Sequence, residues 1–141
     1  MGQFQNVPGP SQADFNTLSE QIGNIGTLVN GSNNATSVVV PNASGTEINS
    51  VTLNTAGTYI IIGSADWSTN ATGYRQISFG SGVNPGRYYT STTPGVSSKE
   101  TYQQVLFCVE ITGQTTYTLY GIQTSGGNLT VYPHIVAIRI K

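Results

Sequence analysis

A chain of 141 residues is long enough for one domain of ordinary size with a short extension. Only 8% of it is Asp, Glu, Lys or Arg, with a formal net charge of -1, against about 25% charged residues in a typical soluble protein. That balance excludes a basic field for nucleic acid and an acidic tail, and it leaves solubility to Ser, Thr, Asn, Gln and Gly. Such a surface fits an exposed extracellular or virion protein better than a cytosolic enzyme.

The N-terminus "MGQFQN" has no basic n-region and no apolar h-region, so no secretory signal is expected. Asn6 stands where a myristoylation pattern wants Ser or Thr. No apolar run approaches the roughly 20 residues of a membrane helix, so no membrane insertion is expected. "VPGP" (Val7 to Pro10) opposes helix, whereas Ser11 can act as an N-cap and Asp14 lies in a first turn that favours an anion.

Phe15, Leu18, Ile22, Ile25 and Val29 then recur at spacings of three, four, three and four. This is a heptad seam, with Phe15, Ile22 and Val29 at a and Leu18 and Ile25 at d. It lasts about two heptads and contains Gly23 and Gly26, each of which weakens a helix by roughly 1 kcal/mol relative to Ala. A lone helix of this kind is marginal in water. Either copies of the chain hold it together, or it folds back as an amphipathic helix onto the rest of the molecule. The pattern predicts an N-terminal segment and helical neck over 1–30, stopping at Asn30-Gly31, and a polar linker over 31–36.

Residues 37–141 predict an all-β domain. "SVVV", "TEINSVTL", "GTYIIIGSADW", "GYRQISF", "ETYQQVLFCVEI", "TTYTLYGIQ" and "LTVYPHIVAIRI" read as strands between Gly, Asn, Ser and Pro clusters. That spacing is typical of a sandwich or barrel. A long loop containing Pro85 and Pro94 is expected around a short strand at "RYYTST". In "GTYIIIGSADW", Tyr59, Ile61, Gly63, Ala65 and Trp67 share one face, and Ile60, Ile62 and Ser64 the other. Strands such as "TYIII" and "VLFCVEI" are apolar on both faces, so one face fills the sandwich and the other needs cover. Self-association would supply it. Cys108 is the only cysteine; it lies in "VLFCVEI" and is expected to be a small buried hydrophobe.

Three stretches carry a family resemblance: "SQADFNTLSEQIGNIG", "LNTAGTYIIIGSADWSTNATGYRQISF" and "TTYTLYGIQTSGGNLTVYPHIVAIRI". Within them the specific parts are "AGTY", "TNATGYR" and the "Y-x-L-x-x-x-Q-x-S-G" step before the final "AIRI". The chain resembles the C-terminal head of tail fibres from phages and prophages. The resemblance implies a jelly-roll, tumour-necrosis-factor-like head carried on a helical or fibrous neck, which the heptad makes a short α-helical coiled coil. It also implies a homotrimer at a virion tail-fibre tip and a host cell-surface glycan as partner. The same architecture occurs in trimerising heads of bacterial collagen-like surface proteins, but residues 1–36 hold no Gly-X-Y tract.

Catalytic chemistry is thinly represented. His134 is the only histidine, with no local nucleophile or orienting carboxylate, and is expected to be a packed or interface residue. Glu47, Asp66, Glu100 and Glu110 are scattered, so no metal site and no cofactor are expected. A glycosidase would want two acids about 5–10 Å apart in a groove, and no local pairing suggests one. Binding is the better-supported chemistry. Asp66, Trp67 and Tyr74, and separately Arg87, Tyr88 and Tyr89, are the candidate receptor-binding residues. Their aromatic rings suit sugar C–H faces, and their polar groups suit hydroxyls. Structural roles compete with this, Trp67 as a sandwich plug and the tyrosines as sheet pairs. Arg75 shares a face with Ile77 and Phe79 and is expected to be an inward or interface arginine paired with a carboxylate.

Overall fold

The computed structural model describes residues 11–13, 16–17, 20, 26, 28–31, 36–81, 84–97 and 99–141, without the side chains of 30, 81 and 84–88. The described residues form nine strands: β1 (Leu28–Asn30), β2 (Val38–Val40), β3 (Thr46–Leu53), β4 (Gly57–Trp67), β5 (Asn70–Ser81), β6 (Asn84–Val96), β7 (Thr101–Ile111), β8 (Thr115–Gln123) and β9 (Leu129–Arg139). They build two antiparallel sheets. One runs β1-β9-β4-β7, with β2 also on β9, and the other runs β3-β8-β5-β6. Strand neighbours in space are mostly distant in sequence, as in a jelly roll.

Period-two burial sets the layers. Along β4, Tyr59, Ile61, Gly63, Ala65 and Trp67 turn inward. They meet Ile77 and Phe79 of β5 and Leu119 of β8, all of which are buried. Phe107 of β7 packs edge-on against Phe79 and Tyr117, with ring centroids 5.0 and 5.4 Å apart. These edge-to-face contacts each add about 0.5–1.5 kcal/mol beyond simple burial.

Three expectations require correction. Val29 does not end a helical neck: β1 pairs Val29 with Ala137 of β9, and Val29 packs on the core. At this last seam position the chain instead serves a sheet edge that needs hydrogen-bond partners. The β-domain therefore begins upstream of residue 31, with Gly26 N–H already bonded to the Arg139 carbonyl at 2.6 Å. Phe15, Leu18, Ile22 and Ile25 lie outside the described residues. Gln12, Ala13, Asn16, Thr17 and Glu20 have helical geometry and are exposed, but no continuous helix falls among the described residues. Second, the expected loop around Pro85 and Pro94 is a 13-residue strand, β6. It is an edge strand of its sheet, where a missing N–H is tolerated. Third, Cys108 is exposed. Alternation along β7 turns Val105 and Phe107 inward and Leu106 and Cys108 outward.

The sandwich has two distinct ends. Gly26, the 54–56 and 112–114 turns and Lys141 cluster at one, where the Thr58 N–H donates to the Lys141 carbonyl at 2.8 Å and Gln114 Nε2 donates to Asn54 Oδ1 at 2.6 Å. Turns 41–45, 68–69 and 124–128, with residues 97 and 99–100, gather at the other, which we call the distal end. The 11 residues of β4 separate the two ends by about 34 Å.

Candidate functional site

The three motifs behind the family resemblance each perform a structural task. In "AGTY", the Ala56 carbonyl accepts from Arg139 Nη2 at 2.7 Å and the Tyr59 hydroxyl donates to the Thr55 carbonyl at 2.8 Å. Gly57 has φ +153°, and a Cβ there would collide with the Lys141 carbonyl. In "TNATGYR", the Arg75 guanidinium is fully buried and donates to the backbone carbonyls of Asn70 (2.8 Å), Thr72 (3.0 Å) and Tyr74 (3.1 Å). Gly73 turns the chain at φ +69°, hard against Thr124, where any Cβ would clash. In "Y-x-L-x-x-x-Q-x-S-G", buried Gln123 donates to the carbonyls of Val40 (3.0 Å) and Gly127 (2.6 Å) and accepts from Ser125 N–H (2.6 Å). These motifs shape the ends of the sandwich.

Arg75 thus departs from expectation: backbone carbonyls, not a carboxylate, face its guanidinium. Burial pushes its pKa below the ordinary value, and Nε has no partner among the described residues. Five N–H donors in a rigid fork suit a ring of carbonyls as well as they suit an acid.

Trp67 is also corrected as a ligand contact. It is fully buried, and its indole N–H donates to Gln103 Oε1 at 2.9 Å. Gln103, itself buried, donates through Nε2 to the Arg75 carbonyl, the Ser91 carbonyl and Thr93 Oγ1, each at 3.0 Å. This amide ties β4 and β7 of one sheet to β5 and β6 of the other. Such buried networks are costly to leave half-satisfied and so fix one arrangement.

The remaining candidates do not converge. Asp66 is half-buried on the outer face of β4 near the distal end, whereas Tyr74 is on the opposite sheet, where β5 pairs it with Pro94. Arg87 and Tyr88 lie in β6 toward the other end of the molecule, Tyr88 opposite Phe79, and their side chains are not described. Tyr89 is the unpaired residue of a β-bulge between the Ser78–Thr90 and Phe79–Tyr88 pairs, with φ 56°. The bulge lays its ring flat on Phe107, centroids 4.4 Å apart, while the residue stays half exposed. Burial first, and then the charge on neighbouring Tyr89, push the Tyr117 phenol up.

The outer face of the β7-β4-β9-β1 sheet is the exposed surface that the candidates had only partly marked. Register places its residues in rows across the strands. Leu28, Ile138, Ile60 and Cys108 form one row, and Val136, Ile62 and Leu106 the next. His134, Ser64 and Gln104 follow, and Tyr132, Asp66 and Tyr102 make the most distal. Leu28 is 57% exposed, Leu106 59%, Tyr102 58% and Tyr132 47%. Between a Thr58–Glu110 row at the Gly26 end and a polar and aromatic distal half, the middle of this face is therefore aliphatic. Tyr102 and Tyr132 went unnoticed in the sequence, although alternation along β7 and β9 signals that both point outward.

No family model matches the chain, and no curated protein matches it. Among solved structures it is similar to the Eiger TNF from S. frugiperda, at 9% identity and TM-score 0.55, over 83% of this chain and 92% of that one. It is similar also to the PRD1 vertex protein P5, at 12% identity and TM-score 0.52, over 83% of this chain and 99% of that one. At these identities the shared property is the fold alone: an all-β, two-sheet jelly roll.

Proposed function

We propose that this chain is the receptor-binding head of a phage tail fibre, a homotrimer that attaches to a host cell-surface saccharide. The observation that carries the reading is the aliphatic outer face of the β7-β4-β9-β1 sheet. Isolated soluble chains rarely expose a contiguous apolar patch of this kind, and such patches mark association. Three-fold symmetry and attachment to the host come from the family resemblance, and the coiled-coil neck from the heptad spacing that begins at Phe15. A vertex protein of similar fold is compatible with a place on the virion, and among the described residues no helix is long and apolar enough to cross a membrane. We read the head as a binding module and not an enzyme. Light scattering together with a glycan array on the intact oligomer tests this. A trimer mass with saccharide binding supports it, whereas a monomer mass, or sugar release from host cell-wall polysaccharide, overturns it.

A second reading has one observation in its favour. All three resemblance motifs serve the fold, as expected of a ligand-free trimerisation and capping domain of a fibre or of a bacterial collagen-like surface protein. A trimer that binds nothing on the array would select it.

A further inference from the structure

The outer face of the β7-β4-β9-β1 sheet changes character along its length. Beside Gly26 the face carries a Thr58–Glu110 row, and the next two rows are aliphatic: Leu28, Ile138 and Ile60, then Val136, Ile62 and Leu106. At Ser64 the face turns polar, and at Asp66 it becomes a carboxylate flanked on neighbouring strands by Tyr102 and Tyr132. We infer that this Tyr132–Asp66–Tyr102 row is a saccharide site, read at the distal mouth of the assembly. The inference rests on the glycan-binding reading above and assigns it to particular residues.

Several features make a saccharide the occupant. Tyr102 and Tyr132 stand two strand spacings apart, about 10 Å between Cα positions. That leaves a sugar ring room to lie between two aromatic walls. Both rings are about half exposed or more, so their faces are open to sugar C–H groups. Tyrosine does this at low entropic cost and adds a hydroxyl at the rim. Between them Asp66 is a pure acceptor for sugar hydroxyls, and such bonds to an ionised group are roughly twice as strong as neutral ones. Among the described residues no hydrogen bond or ion pair already engages its carboxylate. His134, Ser64 and Gln104, one row nearer the aliphatic patch, extend the same face with further donors and acceptors. No lysine or arginine belongs to these two rows, so an anionic ligand is disfavoured and a neutral or amino sugar is favoured.

Position supports the same occupant. The polypeptide enters the sandwich at Gly26, bonded to Arg139, and Lys141 lies at that same end. Whatever precedes Gly26 is delivered there, so the tyrosine row, about 27 Å away along β4, occupies the outward end. Association through the aliphatic rows would display three copies of the row at one tip. Weak single sites then gain avidity without new contacts.

The test uses the intact oligomer on an array of immobilised bacterial cell-wall and capsular saccharides, with the mass of each variant measured in parallel. Tyr102→Ala, Tyr132→Ala and Asp66→Asn are each expected to lose at least tenfold in binding while the oligomer mass stays unchanged. Thr92→Ala, on the outer face of the other sheet, is expected to bind as the unaltered protein does. Binding that survives all three substitutions overturns the site and leaves the glycan reading standing. No binding by the unaltered protein overturns both. Loss of binding together with dissociation assigns the row to the subunit interface and overturns the site.

Discussion

The two outer faces of the sandwich are made from one charge-poor composition, yet they are finished differently. On the β3-β8-β5-β6 sheet, the exposed positions include Thr52, Thr90, Thr92 and Thr116, with Ser50, Gln76, Thr118, Tyr120 and Ile122 half-buried beside them. Thr52 and Thr116 share a hydroxyl hydrogen bond at 2.9 Å across the strands. On the β7-β4-β9-β1 sheet, the corresponding positions are Leu106, Ile60, Ile62, Val136, Ile138 and Leu28. Threonine gives a strand its β-branched stiffness while keeping a hydroxyl for water. Where leucine and isoleucine replace it, the half-buried or exposed side chains forgo part of the about 1.5–3 kcal/mol that full burial of each would give. A chain so short of charge can leave one face to solvent because hydroxyls wet it. The other face is built for contact.

The comparison can be broken most sharply by placing a charge on each face. Leu106→Asp should convert the oligomer to monomers while the fold persists, since the side chain is 59% exposed in the single chain. Thr118→Asp, on the threonine face, should leave the mass unchanged. Light scattering with far-ultraviolet circular dichroism checks both.

The interior supplies the next largest effect. Trp67→Ala should cost about 3–5 kcal/mol, the usual range for emptying a buried aromatic position. Gln103→Leu should cost about 1–3 kcal/mol by stranding the Trp67 N–H and the carbonyls of Arg75 and Ser91. Denaturant titration measures both, and an unchanged midpoint for Gln103→Leu would remove the amide from the account.

Tyr89→Ala should cost about 1–2 kcal/mol, because the flat stack on Phe107 is lost at a half-exposed site. Its melting temperature should fall while saccharide binding holds; lost binding at unchanged stability would return Tyr89 to the receptor site. Smaller still is the expected effect of removing residues 1–25, which spares Gly26 and β1. The melting temperature should drop by a few degrees and the oligomer should persist. A monomeric product would make the N-terminal segment the main source of assembly.

Legibility in the sequence followed the range of the interaction. β3, β4 and β8 were readable to the residue because period-two alternation and turn residues are local signals. The outward phase of Cys108 was readable too, since Gln104 and Glu110 mark the wet side of β7, but the apolar run "VLFCVEI" obscured it. The Trp67–Gln103 bond joins residues 36 apart, and the Tyr102–Asp66–Tyr132 row requires the strand order β7-β4-β9. No local pattern encodes that order. Arg75 misled for a different reason. Its partners are carbonyls of its own motif, oriented by a turn at Gly73 that residue types alone do not reveal.

The mass of the intact chain in dilute solution tests most directly whether the aliphatic face is an interface between copies. The account predicts a single species at three times the 14.9 kDa chain mass, falling to one chain mass with Leu106→Asp. A stable 14.9 kDa species for the unaltered protein would contradict it.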